Sequence, residues 1–228
     1  MKNLLLCLFS LQLYADIVLP GNTLQLLIVS SPDFNSTKAS LQTYEKKDGV
    51  WREVFEPISV NLGRSGLAWG KGLRLFRSKN KEPVKKEGDG KSPAGLFGLE
   101  SFFGYEARSF NFPYLQVTSS SICVDDSSSV QYNQIIQTQD PKQYKSFEYL
   151  KRDDNLYKLG IVVGHNKEGM KKGGSCIFIH IQRGPNSSTS GCTSLQEEKL
   201  LKIMKWLKKS KNPLLLQAPQ NYLEQGFN

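Results

Sequence analysis

The 228-residue chain predicts a mainly β protein with few helices, on three observations. Short runs of apolar, β-branched and aromatic residues recur along the chain, each bounded by Gly, Pro, Asn or Asp. Asp48-Gly49 separates two such runs, the pattern of a tight β-hairpin. Only one stretch, starting at Ser194, carries a sustained helical repeat of apolar side chains.

Taken in order, Leu24 to Val29 (LQLLIV) is a compact apolar strand. Leu41 to Tyr44 and Val50 to Phe55 are the two arms of the hairpin. Val60 to Gly72 is Gly-rich but lacks the Gly-Lys-Ser/Thr ending of a phosphate loop, so it reads as turns. Residues 78–95 are polar, charged and broken by Pro and Gly, and read as an exposed loop. Residues 119–146, rich in Ser, Gln and Asp, read as a surface meander. Tyr157 to Val163 and Cys176 to Ile181 read as buried strands. In Ser194-Leu195-Gln196-Glu197 the spacing matches a capping box. Leu200, Ile203, Met204 and Leu207 then form one apolar stripe, with lysines on the other faces and toward the C-terminal end. Asn212-Pro213 ends this helix, and Pro213 to Leu216 suits a last strand.

Residues 1–15 read as a secretory signal peptide: Lys2, an apolar run from Leu4 to Leu13 too short to span a bilayer, and a cut after Ala15. The remainder, 16–228, reads as one domain, in which 16–60 is either a small N-terminal β extension or its first strands. No later apolar segment is long enough for stable membrane insertion. The expected location is secreted, in the periplasm or cell envelope. Thirty basic against 21 acidic residues give a net charge of +9, which suits an acidic partner such as peptidoglycan or lipid head groups. No zinc-ligand spacing or basic helix interleaved with aromatics is present, so nucleic acid is not expected. After the leader, Cys123, Cys176 and Cys192 remain. An odd number in an exported protein leaves one thiol free or paired between chains.

The stretch 176–195 (CIFIHIQRGPNSSTSGCTSL) carries chemistry. A strand delivers His180, a loop follows, and Cys192 comes just before the predicted helix. A nucleophilic thiol needs exposure, a nearby base and local positive charge. His180 suits the base, and a helix beginning at Ser194 would supply the charge. The N–H groups of Gly191 and Cys192 would face a developing oxyanion. Cys123 and Cys176 form a disulfide that leaves Cys192 free, or Cys176, sharing a strand face with His180, lies near the site.

These residues resemble the catalytic motif of the L,D-transpeptidase (YkuD-type) family, in which a strand His is followed by Ser/Thr-x-Gly-Cys. Here these are His180 and Thr189-Ser190-Gly191-Cys192. Gly88-Asp89-Gly90-Lys91-Ser92-Pro93-Ala94-Gly95 is similar to the family's Gly-Asp-Gly-Lys loop. Cys123-Val124-Asp125-Asp126, Tyr132-Asn133 and Gly164-His165-Asn166 resemble a compact-loop bacterial branch. The resemblance covers roughly residues 60–217. It implies a β-sandwich-like catalytic domain acting on peptidoglycan stem peptides in cell-wall and cell-shape biogenesis. It implies that Cys192 forms a thioester with the third stem residue and expels the terminal D-alanine. His180 would move the proton, with a backbone carbonyl such as that of Ile181 orienting its ring.

The chain departs from the family at Ser190, where many members carry His, and at Ser194, where they carry Arg. Arg183 is the candidate to bind a substrate carboxylate in the missing Arg's place. Thr189, Ser190 and His165 complete the expected substrate-binding set. Asp125 and Asp126 lack clustered partners, so no metal and no cofactor are expected. The activity is then an L,D-transpeptidase if an amine resolves the thioester, or an L,D-carboxypeptidase if water does. A non-catalytic cell-wall-binding module and a general thiol peptidase are the competing classes. The oligomeric state is not legible.

Overall fold

A computed structural model describes residues 18–73 and 82–224. The expected signal peptide therefore lies outside the described residues. The protein is mainly β. The first three strands, β1 (Gln25–Ser31), β2 (Lys38–Lys47) and β3 (Val50–Asn61), form an antiparallel run. The β2–β3 turn is the expected two-residue one. Asp48 and Gly49 both adopt positive φ, 51° and 79°, the conformation that favours an Asp-Gly pair. Strands β1, β2 and β3 are thus woven into the main sheet rather than set apart from it.

The main sheet closes on itself. Strand β5 (Ser92–Gly104) is long enough to work twice. Its first half pairs with β4 (Leu67–Trp69) and β13 (Leu214–Pro219), and its second half with β6 (Tyr114–Gln116) and β10 (Leu159–Val163). From β10 the order continues through β11 (Phe178–Ile181) and β12 (Thr193–Leu195) to β3, β2, β1, β13 and back to β5. The expected sandwich is corrected by this closure: one sheet curls into a barrel-like wall instead of two sheets stacking. A second sheet of three strands, β8 (Ile135–Gln137), β7 (Ser121–Val124) and β9 (Phe147–Tyr149), lies outside it. The supposed surface meander is therefore partly ordered, with Ser121–Val124 wholly buried.

The main core joins one face of these strands to the apolar stripe of α1 (Glu197–Trp206). Leu200, Ile203, Met204 and Leu207 are all fully buried, as their spacing requires. Each contributes about 2 kcal/mol of burial. α2 (Gln220–Leu223) follows β13.

Strand β11 shows how the fold makes a site. Ile177, Ile179 and Ile181 belong to the main core. The alternate side chains Cys176 and Phe178 belong to a second cluster with Phe103, Tyr157, Cys123 and Cys192. Successive side chains on a strand face opposite ways, so His180 shares the face of Cys176 and Phe178. The barrel wall thus presents His180 outward, where the small sheet rises beside it.

Candidate active site

The outward face of β11, the loop 184–192 and the small sheet enclose a cleft of about 760 Å³, lined by Cys192, His180 and Gly191 among others. Thr189, Ser190 and Arg183 also line it. His165 does not. It sits beside a separate cavity of about 250 Å³, accepting from the Lys71 N–H at Nδ1 (3.2 Å), with Nε2 3.1 Å from the Gly173 carbonyl. The cleft role expected for His165 is corrected to a structural one: it holds the 164–174 loop against Phe97.

The loop bearing Cys192 is fixed at several points. Thr189 exchanges backbone hydrogen bonds with Leu62 and Arg64. Its hydroxyl donates to the Cys192 carbonyl (2.6 Å) and accepts the Gly191 N–H (3.1 Å). Thr189 therefore shapes the loop, and the Gly191 N–H expected for an oxyanion is already engaged. Gly191 has φ +151°, and a Cβ there would lie 3.1 Å from the Lys91 carbonyl oxygen, so only glycine fits without strain.

The Gly-Asp-Gly-Lys-Ser loop holds the Cys192 carbonyl from the other side. Fully buried Ser92 donates to it (2.8 Å) and accepts the Gly63 N–H (2.8 Å). Asp89 accepts from Lys85 Nζ (2.6 Å) and from the backbone N–H of Lys86 and Lys91. For its described part, residues 82–95, the expected exposed loop is corrected here, and 78–81 lie outside the described residues. Its polar groups satisfy one another beside the site, and Lys85 is 5% exposed.

Cys192 is the free thiol among the described residues, because Cys123 and Cys176 are disulfide-bonded. Both sequence alternatives for Cys176 hold together, since Cys192 Sγ also donates to its carbonyl (3.5 Å) while accepting the Phe178 N–H (3.3 Å). Burial, reinforced by the Glu148 carboxylate, pushes the thiol up to about 12. The expected helix-dipole activation is absent. Ser194 lies in β12, paired with His180 and Asn61. α1 starts at Glu197 behind Gln196, which makes no side-chain cap. The sheet ladder claims the residue that local spacing assigned to a cap.

The His180 ring is oriented as expected: Nδ1 lies 2.8 Å from the Ile181 carbonyl. A carbonyl only accepts, so the proton resides on Nδ1 and Nε2 is left as the basic nitrogen. Burial pushes His180 down to about 4. At neutral pH the pair rests as uncharged thiol and uncharged imidazole. Tyr157 stands against both: its ring is 5.1 Å from that of His180, and its hydroxyl donates to Glu148 Oε2 (3.0 Å).

Glu148 and Tyr157 line the site and were missed by sequence reading, which named Ser92 only within the Gly-Asp-Gly-Lys loop. Glu148 sits opposite Cys123 in the β7–β9 ladder, and burial raises its carboxyl. With Glu87 and Asp125 it makes an acidic wall, while Lys85, Arg152, Arg64 and Arg183 supply positive charge. Arg183 is mostly exposed and pairs with Asp154 at 3.6 Å; Asp154 also accepts from Arg152 Nε (2.9 Å) and Nη2 (2.6 Å). No cluster of three or more His, Cys, Asp or Glu able to hold a metal occurs among the described residues.

No family model matches the chain, and no curated protein matches it in sequence. Among solved structures it is similar to the Bdellovibrio bacteriovorus protein Bd1075, at 12% identity and a TM-score of 0.43, over 85% of this chain and 47% of that one. It is also similar to the helical cell shape determining protein Pgp2 from Campylobacter jejuni, at 15% identity and the same score, over 85% of this chain and 47% of that one. A mutant of Pgp2 matches over 90% and 48%. The chain thus spans about half the length of these proteins. At this score the likeness assigns neither family nor activity. No helix among the described residues is long and apolar enough to cross a membrane.

Proposed function

We propose that this protein is a cell-envelope cysteine acyltransferase of the L,D-transpeptidase type, acting on peptidoglycan stem peptides. The observation that carries the reading is that the free thiol among the described residues and an imidazole locked by a carbonyl line one cleft of mixed charge. The motif around Cys192, the Ser92 loop that pins its carbonyl, and the leader-like start of the chain support it. The Cys123–Cys176 disulfide supports an oxidising compartment.

In this reading, substrate binding turns the Cys192 thiol away from the Cys176 carbonyl toward His180. Sulfur attacks the carbonyl carbon of the third stem residue while the thiol proton passes to His180 Nε2. The tetrahedral intermediate collapses, the C–N bond breaks, and the departing D-alanine amine takes the proton from His180. The thioester is then resolved by an amine, which forms a cross-link, or by water, which trims the stem. The acidic wall suits the ammonium groups and the basic rim the carboxylates of a zwitterionic peptide.

A second reading, a wall-binding module without turnover, draws on the resting thiol, which is buried and bonded to backbone groups. Intact-protein mass spectrometry with a tetrapeptide-stem muropeptide separates the two. The wild type should gain the acyl mass and release D-alanine, and Cys192→Ala should do neither. Equal binding by both forms with no adduct and no D-alanine would establish the module instead.

A further inference from the structure

Ser194 is 1% exposed and lines the cleft, yet its Oγ has no hydrogen-bonding partner among the described residues. A buried polar group in that state costs about 1–3 kcal/mol unless something fills it. Its neighbours do not. Asn61, in register with it on β3, spends its amide on Gln182 Oε1 (3.2 Å) and the Gly184 carbonyl (3.1 Å).

On the other side Ser194 is in register with His180 across the parallel β11–β12 pair. Strands so paired lie about 4.8 Å apart, and in-register side chains share a face. Leu195 of β12 joins the main core and Thr193 bonds to buried Gln217, so Ser194 faces the cleft as His180 does. His180 keeps its proton on Nδ1 for the Ile181 carbonyl, which leaves Nε2 as an acceptor. A hydroxyl able to donate and an imine nitrogen able to accept thus face the same cleft from adjacent strands. An oxygen so nearly enclosed admits only a very small ligand, and a water needs two or more polar partners to be held.

We propose that Ser194 Oγ and His180 Nε2 together hold the water that hydrolyses the thioester, which makes water the acceptor and stem trimming the reaction. This rests on the acyl-enzyme reading above. The water gives one proton to His180 Nε2 as its oxygen bonds to the thioester carbonyl carbon. The C–S bond then breaks, and His180 returns the proton to the Cys192 sulfur. Ser194 is a water-binding residue in this step and plays no part in forming the acyl-enzyme.

Rapid-quench intact mass spectrometry of wild type and Ser194→Ala with a tetrapeptide-stem muropeptide reads the two half-reactions separately. In Ser194→Ala the acyl-enzyme should form at the wild-type rate and decay about tenfold more slowly, the worth of one hydrogen bond. Ser194→Thr, which keeps the hydroxyl, should restore the decay. Hydroxylamine, needing no held water, should discharge both forms alike. Decay in Ser194→Ala equal to wild type overturns the proposal and leaves the acyl-enzyme reading intact. Equal slowing of both steps with a lowered thermal midpoint overturns it in favour of a packing role. A wild type that forms no adduct overturns the acyl-enzyme reading itself and the water-activating role with it. The water site then stands or falls on a high-resolution crystal structure of the resting protein: an ordered water bridging Ser194 Oγ and His180 Nε2 upholds the site, and a hydroxyl turned onto a protein acceptor removes it.

Discussion

Cys192 is a protected thiol in the resting protein. A thiol held at about 12 by burial carries, at pH 8, roughly a thousandfold less thiolate than one at its ordinary value. Iodoacetamide labelling of the Cys192 peptide should therefore be at least about a hundredfold slower in the folded protein than in urea. Its rate should still be climbing above pH 9. Equal rates in the two states, read by peptide mass spectrometry, would mean that the resting thiol is already activated. Such a thiol resists oxidation, and in the proposed reaction substrate binding would have to reposition it. The surrounding hydroxyls keep the peptide still while the side chain turns. Ser92→Ala removes the relay from the Gly63 N–H to the Cys192 carbonyl, and should cost about 1–3 kcal/mol because a buried N–H loses its acceptor. A urea denaturation series would show this, and an unchanged midpoint would make the relay incidental.

At the scale of elements, the cleft exists because a small sheet is pinned against the barrel wall. Its strands are three or four residues long and could not persist alone. The Cys123–Cys176 bond anchors β7 to the segment leading into β11, and its 53-residue separation corresponds to about 4 kcal/mol of restricted unfolded-chain entropy. A Cys123→Ser, Cys176→Ser variant should lose stability on that order, and Cys192 should become more open to alkylation as Glu148 and β9 loosen. Retention of the wild-type thermal midpoint would show that packing alone holds the small sheet. This sheet was illegible in sequence for a physical reason. Its strands sit among Ser, Gln and Asp, and a covalent bond rather than an apolar pattern secures them. The Gly-Asp-Gly-Lys stretch was misread for the complementary reason: polar residues signal solvent, but here Asp89 and Lys85 satisfy each other. By contrast β1, the β2–β3 hairpin, β11 and the stripe of α1 were legible, because each states its own periodicity or turn chemistry.

For the whole molecule, sequence patterns reveal strands but not partners. Nothing in Ser92–Gly104 announces that its two halves pair with different strands and close the sheet. His180 and Cys192 could be paired by eye because one loop joins them, whereas Ser92 reaches the site from 100 residues away. Closure also buries both histidines, and that has a consequence for the molecule as a unit. His165 and His180 are each held down to about 4 by burial, while in the unfolded chain they titrate near 6.5. Below pH 6.5 the unfolded state binds these protons first, so stability falls as pH drops, until the folded groups titrate near pH 4. Each histidine contributes on the order of 3 kcal/mol across that window. Glu148 and Asp125, both raised by burial, work in the opposite direction, since the folded state takes up their protons more readily on acidification. The net acid loss should therefore be smaller than the two histidines alone would give. The individual terms can be isolated by comparing variants. Urea midpoints between pH 7.5 and 4 should fall less steeply in His180→Gln than in wild type, and less steeply again when His165→Gln is added. A wild-type slope retained in both variants would mean that the two imidazoles are not held neutral, and the uncharged resting pair at the cleft would have to be abandoned with them.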